Sequence, residues 1–357
     1  MKVCILGNGL SAITLAKALV NQKIYVDLIT STKALKLNHS RTLGISKSNT
    51  NFFNKNIINI EKLVWKLKKI EIFSENLKAE KLINFENNNE ELFSIIKNNE
   101  LYKFLEENLI KNKFFKKKKV NNKRLSFIND YQLIINCDYS HGFTKKFFSK
   151  KIVKKYNCFA YTTTIKHDRI LNDTAVQIFT KIGPLAFLPI SNVETSLVYS
   201  IHDSSYKKKE NIEELIKIYN PKYRINKVDK INSIELKYLN LRSYHHKNIL
   251  AFGDLLHRIH PLAGQGFNMT IRDIKTLTNI ILKKQDLGLP IDSSVCDEFE
   301  TNSKHKNFIF SNGINLIHEF FNMERKTKSN ILSKSVQFIS KYPLINKMFI
   351  KIADKGI

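Results

Sequence analysis

The stretch from Phe252 to Ile274, FGDLLHRIHPLAGQGFNMTIRDI, constrains the fold more than any other, because it joins an acidic strand end to a glycine-rich helix start. Junctions of this kind hold cofactors. Ile249 to Phe252 reads as a buried strand and Gly253-Asp254 as its end, where an aspartate can accept hydrogen bonds from sugar or ribityl hydroxyls. His260-Pro261 then makes a stiff turn, and Gly264, Gln265 and Gly266 let a backbone approach a ligand closely. The following helix carries Phe267, Asn268, Met269, Ile271, Ile274 and Leu277. Its partly positive start would favour an anionic ring by roughly 0.3–1 kcal/mol.

A second glycine pattern stands at the opposite end of the chain. Val3 to Leu6 is a short apolar run suited to a buried parallel strand, followed by GNGLSA, with Gly7, Gly9 and Ala12 in G-x-G-x-x-A spacing. Gly7 permits a tight turn, Gly9 lets the backbone near a pyrophosphate, Ser11 opens the helix, and Ala12 keeps that helix close to the sheet. The same spacing also fits a glycine turn that binds nothing. Read together, the two patterns point to one FAD held by two distant parts of the sequence. One partner is missing: the second strand, Ile24 to Ile29, ends in Thr30 and Ser31 where an acid for the adenosine ribose belongs, and Asp27 lies too early. A threonine hydroxyl offers a neutral bond in place of a charge-assisted one, which predicts loosened FAD affinity.

These residues resemble the ubiquinone-biosynthesis hydroxylases, within the aromatic flavin monooxygenases related to para-hydroxybenzoate hydroxylase. The family pattern G-D-A-A-H, H-P, G-Q-G-x-N and an acid is followed by Gly253, Asp254, His257, His260, Pro261, Gly264, Gln265, Gly266, Asn268 and Asp273, with Leu255 and Leu256 replacing the alanines. TIKHDRILNDTAVQIFTKIGPLAFLPIS, Thr164 to Ser191, is similar to the family's substrate segment through His167, Ala175, Phe179, Gly183, Pro184, Ala186, Leu188 and Pro189. Arg41 in SRTLGIS stands where the family has an FAD-contacting arginine, and Asp138 in NCDYSHG matches its middle signature. Three positions depart: Tyr139 replaces a glycine, Gly142 a serine, and Asn99 an arginine near the flavin.

The resemblance implies a mixed α/β (α+β) fold like that of para-hydroxybenzoate hydroxylase. It consists of a Rossmann-like FAD-binding domain (1–145 and 237–290), an inserted β-sheet substrate domain (146–236) and a helical C-terminal region (291–357). It implies reduction of FAD by NAD(P)H or another donor, reaction with O2 to a C4a-hydroperoxide, and hydroxylation of a polyprenylated phenol or quinol. Pro261, His260 and Gln265 would lie nearest the chemistry. Pro261 and the backbone of Gly264, Gln265, Gly266, Phe267 and Asn268 would border the flavin, with Phe187, Leu188 and Pro189 supplied by the covering sheet. Since the cofactor does the hard chemistry, the protein supplies position, water exclusion and electrostatics, and His257 and His260 fit structural roles as well as proton transfer. Two other readings stay open: a scaffold of this fold among other quinone-biosynthesis proteins, and another FAD oxidoreductase on a lipid or aromatic substrate.

Composition bears on partners. Lys plus Arg number 59 against 32 Asp plus Glu, a net charge of +27. The run Lys111 to Arg124 interleaves aromatics with basic residues, but no nucleic-acid module accompanies it and lysines are dispersed, so no nucleic-acid partner is expected. A membrane surface suits the charge better. Ile345, Met348, Phe349 and Ile352 recur at helical spacing among Lys347, Lys351 and Lys355, as in an interfacial helix, although such a stripe also packs on protein. No run approaches the roughly 20 apolar residues of a membrane span. MKVCILGNGL does not read as a signal peptide. Cys4, Cys137, Cys158 and Cys296 lack C-x-x-C pairing, and His245, His246, His257 and His260 lack partners for a recognisable metal site. The expected location is cytoplasmic, peripheral on the cytoplasmic membrane face, with no metal.

Overall fold

The structure, a computed structural model, describes residues 2–30, 40–77, 80–86, 90–119, 130–202, 211–327 and 330–356. Ser31 and the end of the basic run, 120–124, lie outside them.

A mainly parallel sheet of six strands organises the first layer. Its strands are β1 (Lys2–Leu6), β2 (Tyr25–Thr30), β8 (Phe115–Lys119), β9 (Leu133–Asn136), β16 (His245–His246) and β17 (Ile249–Ala251), in the order β16-β17-β9-β1-β2-β8. Val3 to Leu6 and Leu133 to Asn136 are buried on both faces, which is why they read as continuous apolar runs. The edge strand β8, FKKKK, instead carries a row of lysines, a composition that discourages pairing with another chain. Helices α1 (Leu10–Asn21), α3 (Asn98–Ile110) and α6 (Gln265–Asp286) bury apolar stripes against this layer in the largest core cluster.

The second layer is a nine-stranded sheet of β5 (Lys69–Ser74), β6 (Lys81–Glu86), β10 (Lys151–His167), β11 (Thr174–Thr180), β12 (Gly183–Pro189), β13 (Glu194–His202), β14 (Ile225–Val228), β15 (Asn232–Leu241) and β18 (His257–Arg258). The boundary expected near residue 146 does not separate the sheets, because β5 pairs parallel with β11 and carries β6 with it. Lys181 and Ile182 make the turn between β11 and β12, and Gly183-Pro184 opens β12. A short helix, α5 (Ile212–Ile218), covers one face of this sheet over Ile165, Leu185, Phe187 and Tyr199.

A small third sheet, β3 (Thr42–Ser46), β7 (Phe93–Lys97) and β4 (Trp65–Leu67), stands with α2 (Lys47–Asn56) beside α6. The remaining helices are α4 (Gly142–Phe147), α7 (Ser293–Thr327), α8 (Ile331–Ser340) and α9 (Pro343–Lys355). The long α7 packs on α6, while α8 lies on β6 and α9 on α2 and β3. Among the described residues no helix is long and apolar enough to cross a membrane.

Candidate functional site

The two glycine patterns meet at the carboxyl ends of the parallel strands, where open α/β sheets place their ligands. A methyl group built on Gly253 would lie 2.7 Å from Ser11 Cβ, so the end of β17 presses directly on the first turn of α1. Gly7, at φ +115°, leaves only 3.3 Å between such a methyl and Asp138 N. The Asp254 and Asp138 carboxylates flank Cys137, whose thiol is pushed up by burial first and by these two charges second. Gly7, Ser11, Asp138, Gly253 and Asp254 thus converge.

The residues present fit a dinucleotide. α1 and α6 start at Gly9 and Gly264 with no side-chain cap, so their first N–H groups are free for an anion. Nothing lies within 4 Å of a methyl built on Gly9 or Gly266, which leaves room for a ligand against the backbone. Gln265 is buried, and its Oε1 has no partner. Asp254 is exposed, while Asp138 also accepts from Ser140 N and Oγ at 2.8 and 2.7 Å.

Other expected residues stand differently. Thr30 is buried, and its hydroxyl sits 3.5 Å from Lys118 O, at the limit of a hydrogen bond. Asp27 cannot take its place: Lys118 and Tyr131 reach one carboxylate oxygen at 2.6 Å each and Lys2 reaches it at 3.0 Å. Burial pushes that carboxyl up, but these three donors hold it below its usual range. Arg41 is exposed just ahead of β3, and its carbonyl accepts the Asn98 N–H. The Asn268 side chain is spent on protein: Oδ1 accepts from Ser46 N and Asn49 Nδ2, and Nδ2 donates to Gly44 O and Gly264 O. Phe267 points into the core near Phe53. Gln265 Nε2 donates to Ala353 O on α9.

The pleat separates the three sheet residues. Phe187 lies under α5, its ring 5.8 Å from Tyr223, on the face turned away from Leu188. Pro184, Ala186 and Leu188 share the other face and stay partly exposed, as do Gln177 and Val198 beside Ala186. Pro261 is half-buried, while His260 behind it is 1% exposed. His257 is a structural residue, its Nε2 2.7 Å from Asp273 Oδ2, whose Oδ1 accepts from Asn307 of α7.

Residues 149–284 match the family described as FAD binding domain. Among curated proteins, the chain is 27% identical over 156 residues to the 3-demethoxyubiquinol 3-hydroxylase of Escherichia coli, covering 42% of this chain and 40% of that protein. It is 21% identical over 277 residues to the mitochondrial ubiquinone biosynthesis monooxygenase COQ6 of Schizosaccharomyces pombe, covering 63% and 57%. Over these stretches the chain is similar to ubiquinone-biosynthesis hydroxylases. It spans less than two-thirds of the length of these relatives.

Its fold extends beyond those stretches. The p-nitrophenol 4-monooxygenase PnpA of Pseudomonas putida superposes with a TM-score of 0.81 at 12% identity, covering 99% of this chain and 98% of that one. Klebsiella pneumoniae HpxO complexed with FAD and uric acid gives 0.75 at 12% identity, covering 99% and 97%. The mixed α/β architecture with its helical C-terminal region is therefore the fold of these two proteins. Sequence reasoning missed a histidine stack behind Pro261, formed by His202, His260 and His318. No spacing signal links these three, because they come from a strand, a turn and a helix far apart in the chain.

Proposed function

We propose that this chain binds FAD across the meeting point of its two glycine patterns and hydroxylates the aromatic ring of a polyprenylated phenol or quinol with O2. The observation that carries this reading is the contact of Gly253 with Ser11, which joins the late motif to the early one at the strand ends. Gly7, Gly9, Ser11 and Ala12 would hold the diphosphate at the uncapped start of α1, and Arg41 would add its charge. Asp254 and Asp138 would accept from hydroxyls of the linker, and Thr30 from the adenosine ribose. Pro261 and the backbone from Gly264 to Gly266 would border the ring system, under the sheet face that carries Ala186 and Leu188. Bound there, FAD supplies oxygen activation, with NAD(P)H as reductant. The chain's own residues position the substrate, exclude water and present the α6 N-terminus to developing negative charge.

In this reading 1–145 and 237–290 hold the cofactor, except that β5 and β6 serve the substrate sheet. The exposed apolar side chains and lysines of α8 and α9 support a peripheral membrane site, from which a lipid-tailed phenol would be drawn. The departures at Thr30, Tyr139 and Asn99 favour the second reading, a scaffold of this fold working with other quinone-biosynthesis proteins. The deciding experiment mixes the full chain with excess FAD, desalts it, and records flavin absorbance. It then supplies NADPH, a prenylated phenol and labelled O2. Retained flavin and labelled product support the hydroxylase; protein that stays colourless moves the reading to the scaffold.

A further inference from the structure

Four buried ring nitrogens in one place have no hydrogen-bond partner: Nδ1 and Nε2 of His260 and of His318. His260 is 1% exposed and His318 is 5% exposed. The His318 Nδ1 to Glu319 Oε1 separation, 4.0 Å, is beyond a hydrogen bond. The rings form a file. His202 stacks on His318 with centroids 5.6 Å apart, and His318 stacks on His260 at 4.4 Å, with Tyr156 edge-on to both inner rings. Buried polar groups in native folds are nearly always satisfied, so an unpaired cluster of this size asks for a partner. Among the described residues, no group of histidine, cysteine and carboxylate side chains could hold a metal ion.

The outer end of the file opens on a cavity. His202 and His318 line about 390 Å³ between the β11–β12 hairpin and α7, together with Phe179, Pro184, Phe321 and Asn322. Phe179 and Phe321, stacked face to face with centroids 3.5 Å apart, supply the aromatic side of this cavity. The inner end of the file is His260, the residue before Pro261.

The chemistry of the wall selects the ligand. Burial lowers both His202 and His318 to about 4, so at neutral pH each imidazole is uncharged and offers one donor and one acceptor. A hydroxyl presents the complementary pair, whereas a carboxylate offers only acceptors. Lys181 and Arg325 line the mouth, but Lys181 is paired with Glu75 at 3.2 Å, so the mouth is not purely cationic. We infer that this cavity binds the head group of a neutral phenol or quinol, the ring against the stacked Phe179–Phe321 pair and the hydroxyl paired with His318 and His202. The identity of the ring rests on the hydroxylase reading; the cavity and its unpaired nitrogens stand without it.

Calorimetric titration of the full chain, saturated with FAD and without reductant, tests the inference with 2-allylphenol, allylbenzene and benzoate. One well-made hydrogen bond to the hydroxyl makes 2-allylphenol bind about fivefold to tenfold tighter than allylbenzene. His318→Phe removes that preference while allylbenzene still binds. Because His318→Phe could unfold the region, Asn322→Trp serves as a second variant; it fills the cavity from α7 and abolishes binding of both neutral ligands. Equal affinity for the two neutral ligands, preference for benzoate, no saturable phenol binding, or unchanged binding in Asn322→Trp would each overturn the inference. Product formation separates the two ideas. Phenol binding without hydroxylation sinks the hydroxylase reading alone, and hydroxylation with phenol binding untouched by Asn322→Trp sinks this site alone.

Discussion

At Gly253 a single methyl group decides whether two distant parts of the chain can meet. The residue has φ +64°, and an added Cβ would stand 2.7 Å from that of Ser11. Gly253→Ala combines left-handed strain with displacement of the first turn of α1, a loss of about 2–4 kcal/mol measurable by urea denaturation. Flavin retained after desalting should fall with it. Asp27 answers to a different force. Three donors hold its folded carboxyl below the unfolded value of 3.8, so its contribution is present above that pH and is lost as pH falls through the lower folded value. Asp27→Asn should therefore cost about 2 kcal/mol at neutral pH, with the gap to the parent protein narrowing below pH 3.8. A gap constant with pH would mean that the ionised carboxylate is not what matters. At Thr30 the change runs the other way. Thr30→Glu supplies the charge-assisted ribose bond that the end of β2 lacks, and should tighten FAD about tenfold by fluorescence titration.

Among the elements, α6 does most to assemble the site, and Asn268 is its fastening. Its four side-chain hydrogen bonds tie α6 to β3, to α2 and to its own first turn. Asn268→Ala leaves Ser46 N and Gly44 O unpaired in a buried place, at about 2–4 kcal/mol by thermal or urea unfolding. The sequence made α6, β17, β1 and α1 legible because glycine spacing and a buried apolar run report local backbone geometry. It did not reveal that β5 and β6 join the far sheet, since that pairing with β11 is set by contacts a hundred residues apart along the chain. The alternation along β12 was readable, but which parity faces the cleft depends on α5, which covers Phe187 from the other side. Asn268 and Gln265 were read as bordering a cofactor, and only coordinates show their side-chain amides donating to protein. The histidine file had no sequence signal for a similar reason: stacking across three elements leaves no periodicity.

For the whole molecule, the distribution of apolar surface matters more than its amount. Among the described residues, twenty-four large apolar side chains stand exposed, and twelve of them lie between residues 308 and 349. The tail stripe divides: Ile345 and Ile352 are partly buried, whereas Leu344, Met348 and Phe349 face outward on α9, Phe338 does so on α8, and Tyr342 is exposed between the two helices. Lys341, Lys347 and Lys351 are exposed on the same stretch, and the chain as a whole carries +27. An anionic bilayer satisfies both features, because apolar burial and lysine attraction add, the latter by about 1 kcal/mol per charge near the surface. A protein partner would need an apolar face ringed by acids. Flotation with vesicles of phosphatidylcholine, with and without phosphatidylglycerol, separates the two. Binding should require the anionic lipid, weaken with added salt, and fall at least about tenfold when Phe338, Leu344 and Met348 are all changed to serine, since each loses roughly 1.5–3 kcal/mol of burial at most. If the triple variant instead keeps its vesicle binding and changes only its sedimentation, these helices pack on a second copy of the chain, and the phenol reaches the cleft from solution.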